Sequence, residues 1–322
     1  MDFSALSDNL TNPALLFFFL GILASIIKSD LCIPENSSKF ISIYLMFSIG
    51  FKGGQELSHS TLNPELIFLF SLGILSSLVI PIYCYFFLKK KFNRYDSAAI
   101  AAAYGSVSAV TFITAVSYLE LNKISFDGYM VAVMAAMEAP AIFMGVLLFA
   151  INNSQRISIK NFKDLTLHSL QNGSVLLLLG CILIGFFASE AQARGIEPFT
   201  TDIFKGFLAV FLLDMGIQSG KHLRAFKNNG KTALVFSIVA PIINGCIMAV
   251  ISGFFTENIG NRLLISILAA SASYIAVPAA MRISIPKANP GLYLPMALAI
   301  TFPFNISIGI PLYLSIIKHI AV

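Results

Sequence analysis

The sequence predicts an all-α membrane protein of ten transmembrane helices in a 5+5 inverted repeat with interrupted fourth and ninth helices. Three observations carry that expectation. Of the 322 residues, 57% are apolar and 11% charged, and the mean hydropathy is +0.82, whereas an ordinary soluble domain has about 25% charged residues. Ten apolar runs recur along the chain, most of them near the roughly 20 residues that cross a bilayer. Short motifs also return after about half the chain, the mark of duplication.

The runs lie near 13–27, 39–58, 64–88, 96–119, 127–151, 173–191, 198–219, 232–255, 262–283 and 291–317. The first, third and tenth open on Asn before Pro: Asn12 and Pro13, Asn63 and Pro64 with Glu65 next, Asn289 and Pro290. Asn caps the free amides of a helix start, and Pro there has no amide to satisfy. The second run carries Lys52 and a glycine pair. Residues 152–172 form the long polar connection, a surface linker or amphipathic helix between a first half at 1–151 and a second at 173–322. Alternate connections hold fifteen Lys and Arg on one side against five on the other. That bias places both termini outside the cytoplasm and 152–172 inside it, as expected for a multi-pass protein of a bacterial inner membrane. Asp2 and Asp8 precede the first run without a basic residue, so no cleaved signal is expected.

Other classes are excluded by what is missing. Cys32, Cys84, Cys181 and Cys246 are scattered without C-x-x-C spacing, and His59, His168, His222 and His319 are isolated. No metal centre or cofactor is expected. Nucleic acid is not needed to explain the net charge of +5, because the basic residues fall in the gaps between apolar runs. With no His beside a nucleophile and no paired carboxylates, the chain reads as a non-enzyme.

The repeat is legible in three places. MFSIGFKGGQEL at 46–57 matches LLDMGIQSGKHL at 212–223, pairing Gly50 with Gly216 and Gly54 with Gly220. Ser106 and Ser108 in YGSVSAVTF match Ser271 and Ser273 in ASASYIAVP, and Pro140 matches Pro303. Five spans per half is an odd number, so the second copy enters the membrane inverted. Inverted repeats characterise secondary transporters, which bind substrate near the midplane where interrupted helices meet. The predicted interruptions are Gly105–Ser108 and Ser271–Pro278.

Backbone amides freed there cannot face lipid. Together with Gly105 and the hydroxyls of Ser106, Ser108, Ser271 and Ser273, they suit a small monovalent anion, since no Lys or Arg lies mid-span in either run. Serines also permit close helix packing, and that reading stays open. Glu138 stands in an otherwise apolar fifth run, where a carboxylate costs about 2.5–3.5 kcal/mol on insertion scales. With Thr301 and Asn305 near Pro303 it marks a sodium site, a protonatable site or a hydrogen bond to a neighbouring helix. Asp214 reads as an interhelical contact.

YGSVSAVTF, ASASYIAVPAAMR, IPKANPGLY and FPFNISIGIPLY resemble the sodium-dependent bicarbonate transporter family along essentially the whole chain. The resemblance implies a core domain of spans three to five and eight to ten that slides against a gate domain of spans one, two, six and seven. It also implies a homotrimer, a PII-like cytoplasmic regulator in some members, and bicarbonate held by Gly105, Ser106, Ser108, Ser271 and Ser273, with Glu138 near sodium. The chain departs from cyanobacterial members at Tyr274, where they carry an acid, at Asn305, where they carry a small residue, and in its shorter central connection. The resulting expectation is sodium-coupled uptake of bicarbonate or a similar small anion. The alternatives are a proton- or sodium-coupled small organic anion carrier and a non-transporting membrane sensor.

Overall fold

A computed structural model describes residues 11–59, 64–152, 173–226 and 230–320, and all regular structure among them is helical. In chain order the helices are α1 (Pro13–Ile26), α2 (Glu35–His59), α3 (Pro64–Leu88), α4 (Arg94–Gly105), α5 (Ala109–Leu121), α6 (Tyr129–Asn152), α7 (Gly173–Phe187), α8 (Glu190–Glu197), α9 (Phe204–Phe226), α10 (Gly230–Ile251), α11 (Ile259–Ala270), α12 (Ala276–Ser284) and a composite α13 (Pro290–Ile320). The polar connection from 153 to 172, Asn63, Asp2 and Asp8 lie outside the described residues.

The chain is a multi-pass membrane protein. Six helical stretches are long and apolar enough to cross a bilayer: α3, α4 with α5, α6, Glu190–Leu223, Gly230–Phe254 and α13. α1, the Leu176–Phe187 part of α7 and α11 are apolar but shorter. α2 has the length at 25 residues without the apolar composition, since it carries Glu35, Lys39, Lys52 and Glu56.

Local signals account for several boundaries. Asn12 accepts from the Ala14 amide, Asn93 from Asp96, Asn258 from Asn261 and Asn289 from Gly291, each opening a helix. The sixth apolar run stops at Phe187, short of the expected 191, because Ser189 and Gln192 form a reciprocal capping box that starts α8. α8 runs through a wide π turn at Pro198–Asp202 toward α9.

α1 packs along α9 and α2 along α7, while α3, α4 and α6 form one cluster and α10, α11 and α13 another. Glycines set the first two pairings. A Cβ on Gly216 would sit 2.1 Å from the Phe18 carbonyl oxygen, and one on Gly54 would sit 2.1 Å from that of Ile182. Backbone contact at that range is how membrane helices pack without a hydrophobic driving force between them. Asp214 accepts from Ser38 of α2 at 2.5 Å and from Gln218 at 2.8 Å, joining α9 to α2. The apolar window of α4 and α5 is 89% buried, against 28% for α3. The interrupted stretch is therefore sheltered from lipid, as freed backbone groups require.

Candidate functional site

Both predicted interruptions exist. α4 ends at Gly105, Ser106 is extended (φ −85°, ψ 172°), and α5 restarts after Ser108 (φ −108°, ψ 109°), whose Oγ accepts from the Thr111 amide at 3.2 Å. α11 ends at Ala270, Ser271 is extended (φ −81°, ψ 169°), and α12 begins at Ala276. This second break is shorter than expected. Pro278 lies in the first turn of α12, where a missing amide leaves nothing unsatisfied.

The two breaks hold each other. The Ser108 amide donates to Ser271 Oγ at 2.9 Å, and the Ser273 amide donates to the Ala103 carbonyl at 2.8 Å. Ser271 Oγ donates in turn to Leu268 at 2.8 Å. Ser273 Oγ accepts from the Val277 amide at a long 3.4 Å, and Ser106 Oγ donates to the Glu138 carbonyl at 3.4 Å. Gly105 packs on Pro81, whose Cγ a Cβ would approach to 2.2 Å.

A cavity of about 30 Å³ lies where the breaks meet, with Ser108, Ser273, Tyr274 and Glu138 on its walls and Met46 of α2 and Leu178 of α7 closing it. At about one water per 10–15 Å³, it has room for two waters or a solute of a few heavy atoms. Among the described residues no Lys or Arg lines it. The Ser108 and Ser273 hydroxyls and the opening turns of α5 and α12 border this space. Glu138 is half-buried, and its carboxylate has no hydrogen bond or ion pair among the described residues. Tyr274 is 9% exposed, and its hydroxyl, beside Ser108, has no partner in good hydrogen-bond geometry among the described residues.

Thr301 and Asn305 sit elsewhere in the same cluster. Pro241 in α10 has no amide, so the Ser237 carbonyl four residues earlier loses its helical donor. Thr301 Oγ1 donates to that carbonyl at 2.7 Å and takes the Tyr104 hydroxyl proton at 2.7 Å. Asn305 Nδ2 donates to the Ala270 carbonyl at 2.8 Å, capping the end of α11 just before its break. Wide π turns at Met296–Thr301 and Asn305–Gly309 flank Pro303 in α13.

The structure thus brings Ser108, Ser273 and Glu138 to one cavity. Gly105, Ser106 and Ser271 stand behind it, and Thr301 and Asn305 brace the α10 and α11 backbones. The apolar wall from Met46 and Leu178 carries no signal in the sequence, whereas Tyr274, marked there by its departure from cyanobacterial members, joins the same cavity. Tyr274 lies one residue past Ser273, within the motif already singled out, but the surroundings of its hydroxyl are visible only in three dimensions. The described residues contain no grouping of three or more metal-ligating His, Cys, Asp or Glu side chains.

A family model described as the Na+-dependent bicarbonate transporter superfamily matches residues 13–318. A comparison with curated proteins gave no match.

Proposed function

We propose that this chain, which belongs to the Na+-dependent bicarbonate transporter superfamily, carries bicarbonate or a similar small monovalent anion inward with sodium by alternating access. The observation that carries the proposal is the cavity between the two broken helices, lined by Ser108, Ser273, Tyr274 and Glu138 and, among the described residues, by no cation. Hydroxyl protons and amides at helix starts suit an anion. The unpaired Glu138 carboxylate repels the same anion, by about 4 kcal/mol for unit charges 4 Å apart at an effective dielectric of 20. A sodium ion beside Glu138 removes that repulsion, so each ion favours the other. This is a physical route to coupled transport.

Alternating access rests on the inverted 5+5 reading, which repeated contacts support. Asn93 and Asn258 cap α4 and α11 from equivalent positions. The Asp127 amide donates to Asn261 Oδ1 at 2.8 Å, and the Asn289 amide donates to Asp96 Oδ1 at 2.7 Å, the same bridge with the halves exchanged. α1 against α9 repeats as α7 against α2. In this proposal α3–α6 and α10–α13 form the moving core, α1, α2 and α7–α9 the gate, and Met46 and Leu178 the gate's face on the site.

Purified protein in liposomes should accumulate labelled bicarbonate faster under an inward sodium gradient than with choline in place of sodium. Equal rates would remove the coupling. The apolar wall favours a second reading, a small monocarboxylate such as acetate, and competition between acetate and bicarbonate for uptake separates the two.

A further inference from the structure

Between α3 and α10, away from the cavity, lies a second recess of about 460 Å³ whose lining is almost wholly apolar. Phe87 and Phe236 stack at its base with centroids 6.0 Å apart. Its flank is exposed, with Val235 at 57%, Val239 at 43% and Ile243 at 47%, so it opens sideways toward hydrocarbon. The Tyr83 hydroxyl on its wall is already donated to Asn244. At one end stand Lys91, just past the end of α3, and Lys231, in the first turn of α10. Neither lysine is in an ion pair among the described residues, and no acidic side chain lines the groove. Lys89 differs, because its ammonium sits 4.2 Å over the Phe86 ring.

We propose that this groove is a binding site for an anionic phospholipid, its phosphate between Lys91 and Lys231 and one acyl chain along Val235, Val239 and Ile243. The charge pattern chooses the occupant. Two cations at the mouth of an apolar slot complement a molecule with one negative end and a long apolar body. A zwitterionic headgroup would bring its own cation against the lysines, and a free soluble anion would leave the slot uncovered. Basic recesses between membrane helices bind anionic headgroups on this principle. The site joins equivalent helices of the two halves and does not depend on which solute the protein carries.

The test is a titration of the delipidated, detergent-purified full chain with dioleoyl phosphatidylglycerol and, separately, dioleoyl phosphatidylcholine, read by native mass spectrometry. At about fivefold per lysine, the anionic lipid should bind about 25-fold more tightly. K91Q with K231Q should bring the two lipids to near equality, while K89Q should leave the preference intact. Raising salt should shrink the preference in the unaltered protein, a readout that needs no variant to fold. Equal binding of the two lipids by the unaltered chain, a preference insensitive to salt, or one that survives loss of both lysines would overturn the proposal.

Discussion

Ser271→Ala separates bracing from binding at the broken helices. Ser271 Oγ is the acceptor for the Ser108 amide at 2.9 Å, and both residues are buried, at 1% and 4% exposure. Alanine takes away that amide's protein partner at a buried position, a loss of about 1–3 kcal/mol. The Leu268 carbonyl is less affected, because it also accepts from the Ser271 amide at 3.2 Å. Amide exchange at Ser108 should therefore speed up by about 5- to 150-fold, with a lowered thermal midpoint in detergent. Ser273→Ala is the counterpart. Its Oγ receives one weak bond at 3.4 Å, so stability should fall by only about 0.5 kcal/mol, while loss of a hydroxyl that meets the anion in the proposed site should raise KM by about tenfold or more. The assays are hydrogen exchange by mass spectrometry and bicarbonate uptake in liposomes. If Ser273→Ala is the more destabilising change, or Ser271→Ala leaves Ser108 exchange untouched, the division of labour between these serines is wrong.

Glu138→Gln should make uptake independent of sodium and strengthen anion binding in its absence, measured as the ratio of rates in sodium and choline; an unchanged ratio would place the coupling ion elsewhere. Tyr274→Phe removes a buried hydroxyl with no partner in good geometry among the described residues, so thermal stability should hold or rise while anion affinity falls, and unchanged affinity would exclude the hydroxyl from the site. Thr301→Val should destabilise by about 1–3 kcal/mol through the orphaned Ser237 carbonyl. In a Pro241→Ala background, where position 241 supplies an amide again, the loss should shrink by about 1 kcal/mol; additive effects in that double-mutant cycle would refute the proline explanation.

Much of this architecture is readable from local chemistry. Asn before Pro marks the start of α1 and of α13, and serines beside Gly105 and Ala270 mark where α4 and α11 stop. A residue that leaves helical geometry does so for reasons carried within a few neighbours. Pro278 shows the limit of that logic: the sequence cannot tell a proline that ends a helix from one seated in a first turn. The spans themselves were less legible where charge interrupts apolar runs, as at Lys52 in α2.

The four serines look equivalent in the sequence, and only packing distinguishes them. Whether a hydroxyl is free depends on partners 163 residues away for Ser108 and Ser271 and 32 residues away for Ser106 and Glu138, and no local pattern carries such information. Two broken helices, small polar residues at the breaks and a lone carboxylate in an apolar span are all legible in the order of residues alone. It takes packing to bring Ser108, Ser273, Tyr274 and Glu138 to one cavity while Thr301 and Asn305 repair the backbone behind it. A side chain's chemistry is local, but its remaining hydrogen-bonding capacity is set by what the fold brings against it.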